Sequence, residues 1–200
     1  METQNGTLPA PMPEKVTREV LPSGLRLTYR WFSPAAWFLA LFCLFWDGFL
    51  VFWYAGATTG VDWSKGLDAV AGPQLMFLLF PLIHVAVGVG LTYFTVCSFV
   101  NRTVIDVSPR EISVRIGPLP WRGNRSVAPM QIAQIYREEI VRQTKNGQSI
   151  TYELSAVLKD GKKLKLLSGL HGADQALYLE QEIERHLGIR DQAVAGEMRK

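Results

Sequence analysis

Two stretches of the chain are almost without polar positions. SPAAWFLALFCLFWDGFLVFWY carries one charge, Asp47, and PQLMFLLFPLIHVAVGVGLTYFTVCSFV carries none apart from the titratable His84. A bilayer core about 30 Å thick needs about 20 apolar residues of helix, so these runs predict spans near 33–54 and 74–98. Pro34 and Pro73 stand where the first turn of a helix tolerates proline. Trp31, Trp53 and Tyr54 fall at the ends of the first span, at headgroup level. A pair of buried helices in a soluble protein would instead need a large polar layer around them, which 200 residues cannot supply.

Each run has a stripe of small or polar residues at helical spacing: Ala36, Ala40, Cys43 and Asp47 on the first, Pro81, His84, Gly88, Thr92 and Thr95 on the second. Such stripes mark where helices in lipid approach closely. With the helices antiparallel, Asp47 and His84 come to similar depth, and an ionisable residue there needs a partner. The pair has two readings, a proton-responsive or ligand-binding site and a hydrogen-bonded pair that fixes hairpin register or an oligomer.

Beyond residue 100 the period changes to two. Val104 with Asp106, and Ile112, Val114 and Ile116 alternating with Ser113 and Arg115, predict two strands joined at Ser108-Pro109. Short strands follow near 125–128 and 132–138, and Asn146-Gly147 marks a turn before the strand ITYELSAVL. Asp160-Gly161 leads into KKLKLL. A closing helix places Ala176, Leu179, Ile183 and Leu187 on one face, turns Glu180, Glu182 and Glu184 elsewhere, and stops at Gly188. The fold class expected is an α+β membrane protein: a two-helix transmembrane hairpin with an antiparallel sheet, or partly open barrel, capped by the C-terminal helix.

The charge follows the same division. Residues 1–30, 31–100 and 101–200 carry about +1, −2 and +4, making the overall +3. A surplus this small argues against nucleic acid as a partner. Lys15, Arg18, Arg26 and Arg30 precede the first run and Arg102, Arg110 and Arg115 follow the second, against Lys65 between them, so both termini are expected on the cytoplasmic side. The N-terminal twenty residues lack the apolar core of a signal peptide, and the first run reads as a retained signal anchor. Cys43 and Cys97 differ in depth by roughly ten residues of helix rise and read as buried apolar thiols, not as a disulfide. The expected division is a segment 1–30 with a strand at 24–30, the hairpin 31–100, a soluble domain 101–189 and a tail 190–200.

The strand order, the segment IAQIYREE before ITYELSAVL, the hairpin KDGKKLKLL and the helix ADQALYLEQEIERHLGI resemble the bacterial pleckstrin-homology-like domains found beside transmembrane hairpins. The resemblance covers roughly 101–189. It implies a bacterial inner-membrane protein whose soluble domain binds or scaffolds without catalysis. Lipid-binding members cluster basic residues in the first strand hairpin, where this chain has SPRE, with Arg110 beside Glu111.

Candidate contact residues for lipid or a protein partner are Trp121, Arg122 and Arg125 in PLPWRGNRS and Lys159, Lys162, Lys163 and Lys165 around one hairpin, with Arg142 and Lys145 at another. Near an anionic leaflet each basic residue gains about 1 kcal/mol; solvated strand ends are the other reading. His171 and His186 read as surface residues, His186 complementing the C-terminus of the last helix. There is no HExxH, GxSxG or glycine-rich phosphate loop, so no enzyme, cofactor or metal is expected. The expectation is a membrane-anchored binding or scaffold module; the alternative is an oligomeric transporter or sensor subunit using Asp47 and His84.

Overall fold

The computed structural model describes residues 10–62, 64, 66, 72–144, 147–170 and 172–189. The chain divides into two compact units, one of residues 31–101 and one formed by the residues up to Arg30 together with those from Arg102 onward.

The first unit is helical. Helix α1 runs Ala35–Thr58 and packs along α3, Leu82–Val100, which a short helix α2, Pro73–Leu79, precedes. The second apolar run is therefore broken at Phe80 and Pro81. Pro81 has no N–H to give the carbonyl of Phe77, and its ring crowds that same carbonyl. Both stretches, Ala35–Thr58 and Gln74–Val100, are long and apolar enough to cross a membrane, and only 17% and 11% of their most apolar windows are buried. Phe38, Phe45 and Phe52 are each at least 75% exposed along α1. In water that surface would be a severe aggregation liability; in hydrocarbon it costs nothing.

The second unit is a pair of antiparallel sheets with one helix. The first sheet has the order β1-β2-β3-β4-β5, with β1 Val16–Leu21, β2 Gly24–Arg30, β3 Arg102–Val107, β4 Ile112–Gly117 and β5 Arg125–Val127. The second has the order β6-β7-β8, with β6 Ile132–Thr144, β7 Gly147–Leu158 and β8 Lys163–Leu170. Neither sheet closes into a barrel. Helix α4, Ala173–Leu187, contacts strands of both sheets, and Gly188 ends it at φ 65°, a left-handed value that favours glycine. One core serves all three layers: Leu25, Leu27, Ile105 and Val114 from the first sheet, Ile135, Leu154 and Leu167 from the second, Leu179 and Ile183 from the helix. Alternation along the strands accounts for it, since in β3 Thr103, Ile105 and Val107 are buried while Arg102 is exposed and Val104 and Asp106 are half-buried.

Three features differ from the sequence reading. The N-terminal segment holds two strands where one was expected, and they are part of the sheet-containing unit: β2 lies between β1 and β3, in register from Leu25 opposite Val107 to Arg30 opposite Arg102. Residues 101–189 thus lack the first two strands of their own sheet. The β6–β7 ladder is longer than the alternation suggested, reaching Thr144 opposite Gly147; the turn at 145–146 and His171 lie outside the described residues. Finally, Glu180, Glu182 and Glu184 are buried, not turned to water. Glu180 accepts a hydrogen bond from Arg137 of β6, and the two side chains are 1% and 3% exposed. Glu182 meets Arg18 of β1 at 2.6 Å and Arg185 on its own helix. Glu184 accepts from Gln134 at 2.7 Å. Position 180 falls beside Ala176 and Ile183 in the helical period, so it faces inward whatever its polarity.

Candidate functional site

The polar groups of the two apolar stretches gather along one seam between α1 and the helices of the second run. Cys43, Asp47 and Leu50 follow one another at spacings of four and three on α1, and Gly88, Thr92 and Thr95 do the same on α3. Thr92 Oγ1 donates to Asp47 Oδ2 at 2.7 Å. A Cβ at Gly88 would come within 3.0 Å of Asp47 Oδ1 and 3.2 Å of the Trp46 indole, so the absence of a side chain there lets the helices meet. Thr95 gives its proton to the carbonyl of Leu91 at 2.8 Å, which leaves the Cys43 thiol as donor in the 3.3 Å contact between Cys43 Sγ and Thr95 Oγ1.

His84 lies two turns from Thr92, and no hydrogen bond or ion pair joins it to Asp47 among the described residues. Its ring stacks on Trp46, with centroids 5.8 Å apart, and tilts against Phe80 at 5.6 Å. Trp46 Nε1 donates to the His84 carbonyl at 3.2 Å. His84 Nδ1 is buried and makes no hydrogen bond. Among the described residues His84 thus meets Trp46, the residue before Asp47, and not the Asp47 carboxyl itself. Of the stripe, Ala36, Cys43 and Gly88 are buried and Ala40 and Thr92 half-buried.

Further along, α1 attends to the break in the second run. Trp53 Nε1 donates to the carbonyl of Phe77 at 3.0 Å, the group Pro81 leaves without its helical donor, and Tyr54 Oη donates to that of Leu78 at 3.1 Å. Unsatisfied backbone in hydrocarbon costs several kcal/mol per group, so these two aromatic residues do more than sit at an interface. The sequence signal was present: the indole lies on a helix adjacent to one that contains an internal proline.

The basic residues chosen as contacts do not form one cluster. Trp121, Arg122 and Arg125 belong to the β4–β5 side of the first sheet, and the lysines to the β7–β8 hairpin of the second. Three of those lysines are paired with acids: Lys162 with Asp160 at 2.9 Å, Lys163 with Glu138 at 3.6 Å and Lys165 with Glu153 at 2.5 Å. Lys163 also lies 5.0 Å over the Tyr136 ring. Trp121 is half-buried, whereas Arg122, Arg125 and Lys159 are exposed. Arg125 borders an open groove of about 580 Å³ with Glu111, Ser113, Arg115 and Asn124. On the same sheet Asp106 joins Arg26 at 2.6 Å and Arg115; burial raises the carboxyl, but the hydrogen bonds and charges of the two guanidiniums outweigh it and hold Asp106 below the usual carboxylate range.

These elements define an α+β protein with two helices long and apolar enough to cross a membrane and two antiparallel sheets outside them. No protein-family model matches the chain, and no curated protein matches it.

Proposed function

We propose that this protein is a membrane-anchored, non-catalytic binding or scaffold module. In this reading the soluble unit is pleckstrin-homology-like and α4 caps it, the membrane is the bacterial inner membrane, and both termini are cytoplasmic. The observation that carries the proposal is connectivity. The hairpin enters and leaves the soluble unit between two neighbouring strands, at the paired residues Arg30 and Arg102. In this reading the domain is tied to its anchor by two covalent links, at neighbouring strands of one sheet, and not by one. That suits presentation of a binding face more than diffusive chemistry. Purification of the detergent-solubilised complex, with mass spectrometry of what accompanies it, tests the reading. A stoichiometric partner lost when the surface of the soluble unit is altered supports it; a chain that always purifies without companions argues against it.

One observation favours a second reading, an oligomeric transporter or sensor subunit: His84 Nδ1 is buried in the helical unit with no hydrogen bond. If Asp47→Asn and His84→Ala change ion flux or pH response in vesicles while partner binding is intact, this reading replaces the first.

A further inference from the structure

Strands β6 and β7 run on beyond the sheet they belong to. β8 pairs with β7 only as far as Tyr152, while β6 and β7 stay paired out to Thr144 and Gly147. The outer part is a two-stranded arm, residues 140–144 with 147–151. Two-stranded ribbons are marginal in water, and this one shows Val141 and its cross-strand neighbour Ile150 half to the solvent, 50% and 45% exposed.

The free edge of the arm is complementary to itself. Two residues separate Thr144 from Gly147, so that pair exchanges backbone hydrogen bonds across the hairpin, and the pairs at 142, 140 and 138 do likewise. The N–H and C=O groups of residues 139, 141 and 143 then turn outward, on the side where β6 has no neighbouring strand in its sheet. Lay β6 antiparallel to the same strand of a second copy, about a two-fold axis at Ile140. Glu139 and Val141 of the two copies become backbone-bonded pairs, Ile140 meets Ile140, and Glu138 stands opposite Arg142 twice. Slipping by one residue sets outward backbone groups against inward ones. Slipping by two, in either direction, loses the opposite charges, and in one case sets Glu139 against Glu139. Glu138 is partly exposed, with a long 3.6 Å contact to Lys163 and an interaction with the Tyr136 hydroxyl, and Arg142 has no ion pair among the described residues.

We propose that the chain self-associates as a two-fold dimer by antiparallel pairing of β6 with β6 over residues 138–142, which turns two marginal arms into one four-stranded sheet. The inference stands apart from the scaffold reading, because it names no other partner.

The test uses the full-length chain in nanodiscs, with Cys43→Ala and Cys97→Ala. Directly opposed residues of a non-bonded antiparallel pair lie about 4.5 Å apart at Cα, within reach of a disulfide. Under mild oxidation Ile140→Cys is expected to give a covalent dimer, and Gln143→Cys is not. Glu138→Arg or Arg142→Glu alone should lower the Ile140→Cys yield at least tenfold, and the two together should restore it. Restoration also shows that the arm is folded in the variants. A chain that stays monomeric, one that dimerises without crosslinking at 140, or equal crosslinking at 143 overturns the proposal, including the case in which the arm docks on lipid.

Discussion

An acidic side chain in the middle of an apolar helix is costly, and among the described residues Asp47 is met by one hydroxyl, that of Thr92. Removing either partner should therefore couple with removing the other. In a cycle of Asp47→Leu and Thr92→Val, read by unfolding in detergent, the expected coupling is about 0.6 to 1.7 kcal/mol. Asp47→Leu and His84→Leu should add, since no hydrogen bond or ion pair joins the two among the described residues; coupling there would restore the direct pair that the sequence suggested. Gly88→Ala should destabilise by about 1–3 kcal/mol through overpacking against Asp47 and Trp46. In the soluble unit, Arg137→Met leaves Glu180 buried without its guanidinium and should cost about 3–5 kcal/mol, while Arg137→Met with Glu180→Leu should recover most of it. Hydrogen exchange in α4 of the full-length chain distinguishes the two. Asp106 has a sign that can be checked. Its folded pKa is depressed, so its contribution is present above the unfolded value of 3.8 and is lost as pH falls through the folded one. Asp106→Asn should lower stability at neutral pH and above, with the difference from the unsubstituted chain shrinking as pH falls through the folded pKa, so that the acid side of the stability curve is flatter.

At the scale of elements, the break at Pro81 and the two aromatic donors form one device. Trp53→Phe takes away the donor to the Phe77 carbonyl and should cost about 0.5–1.5 kcal/mol. In a Pro81→Ala background the backbone N–H returns, and the same substitution should become nearly neutral in thermal melts. A cost undiminished in that background would show that Trp53 acts through packing alone. The long apolar runs and the alternating strands were legible in the sequence because period and length are local properties. Pro81 was legible too, but its proper reading is a break in the helix, not a small member of a stripe. Glu180, Glu182 and Glu184 misled because polarity was weighed above period, and the cations that neutralise two of them lie on strands far away in the chain. The same holds for β1 and β2: VTREVL alternates weakly, and only its partners across the sheet make it a strand.

For the whole molecule, the division into N-terminal segment, hairpin and soluble domain follows the order of the sequence, and the fold does not. No local pattern states that residues 24–30 pair with 102–107 across the entire hairpin. That pairing makes a direct prediction. Replacing residues 32–100 by Asn-Gly should close β2 and β3 into an ordinary hairpin across the backbone-bonded pair Trp31 and Asn101, and give a soluble protein that unfolds cooperatively. Residues 102–189 alone lack Leu25 and Leu27 from the core and should be insoluble or molten. Circular dichroism and melting of the two fragments compare them directly.

The interrupted sheet also orders events during synthesis. β1 and β2 leave the ribosome first, yet β2 cannot find β3 until both apolar stretches have been made. Under the two-span reading, a hairpin threaded only once strands β2 and β3 on opposite faces of the bilayer. The sheet is then never completed, and an open edge of β2 is left for quality-control proteases. Under the same reading, the sheet is completed only when both apolar runs are inserted, a consequence of the order in which the strands are made.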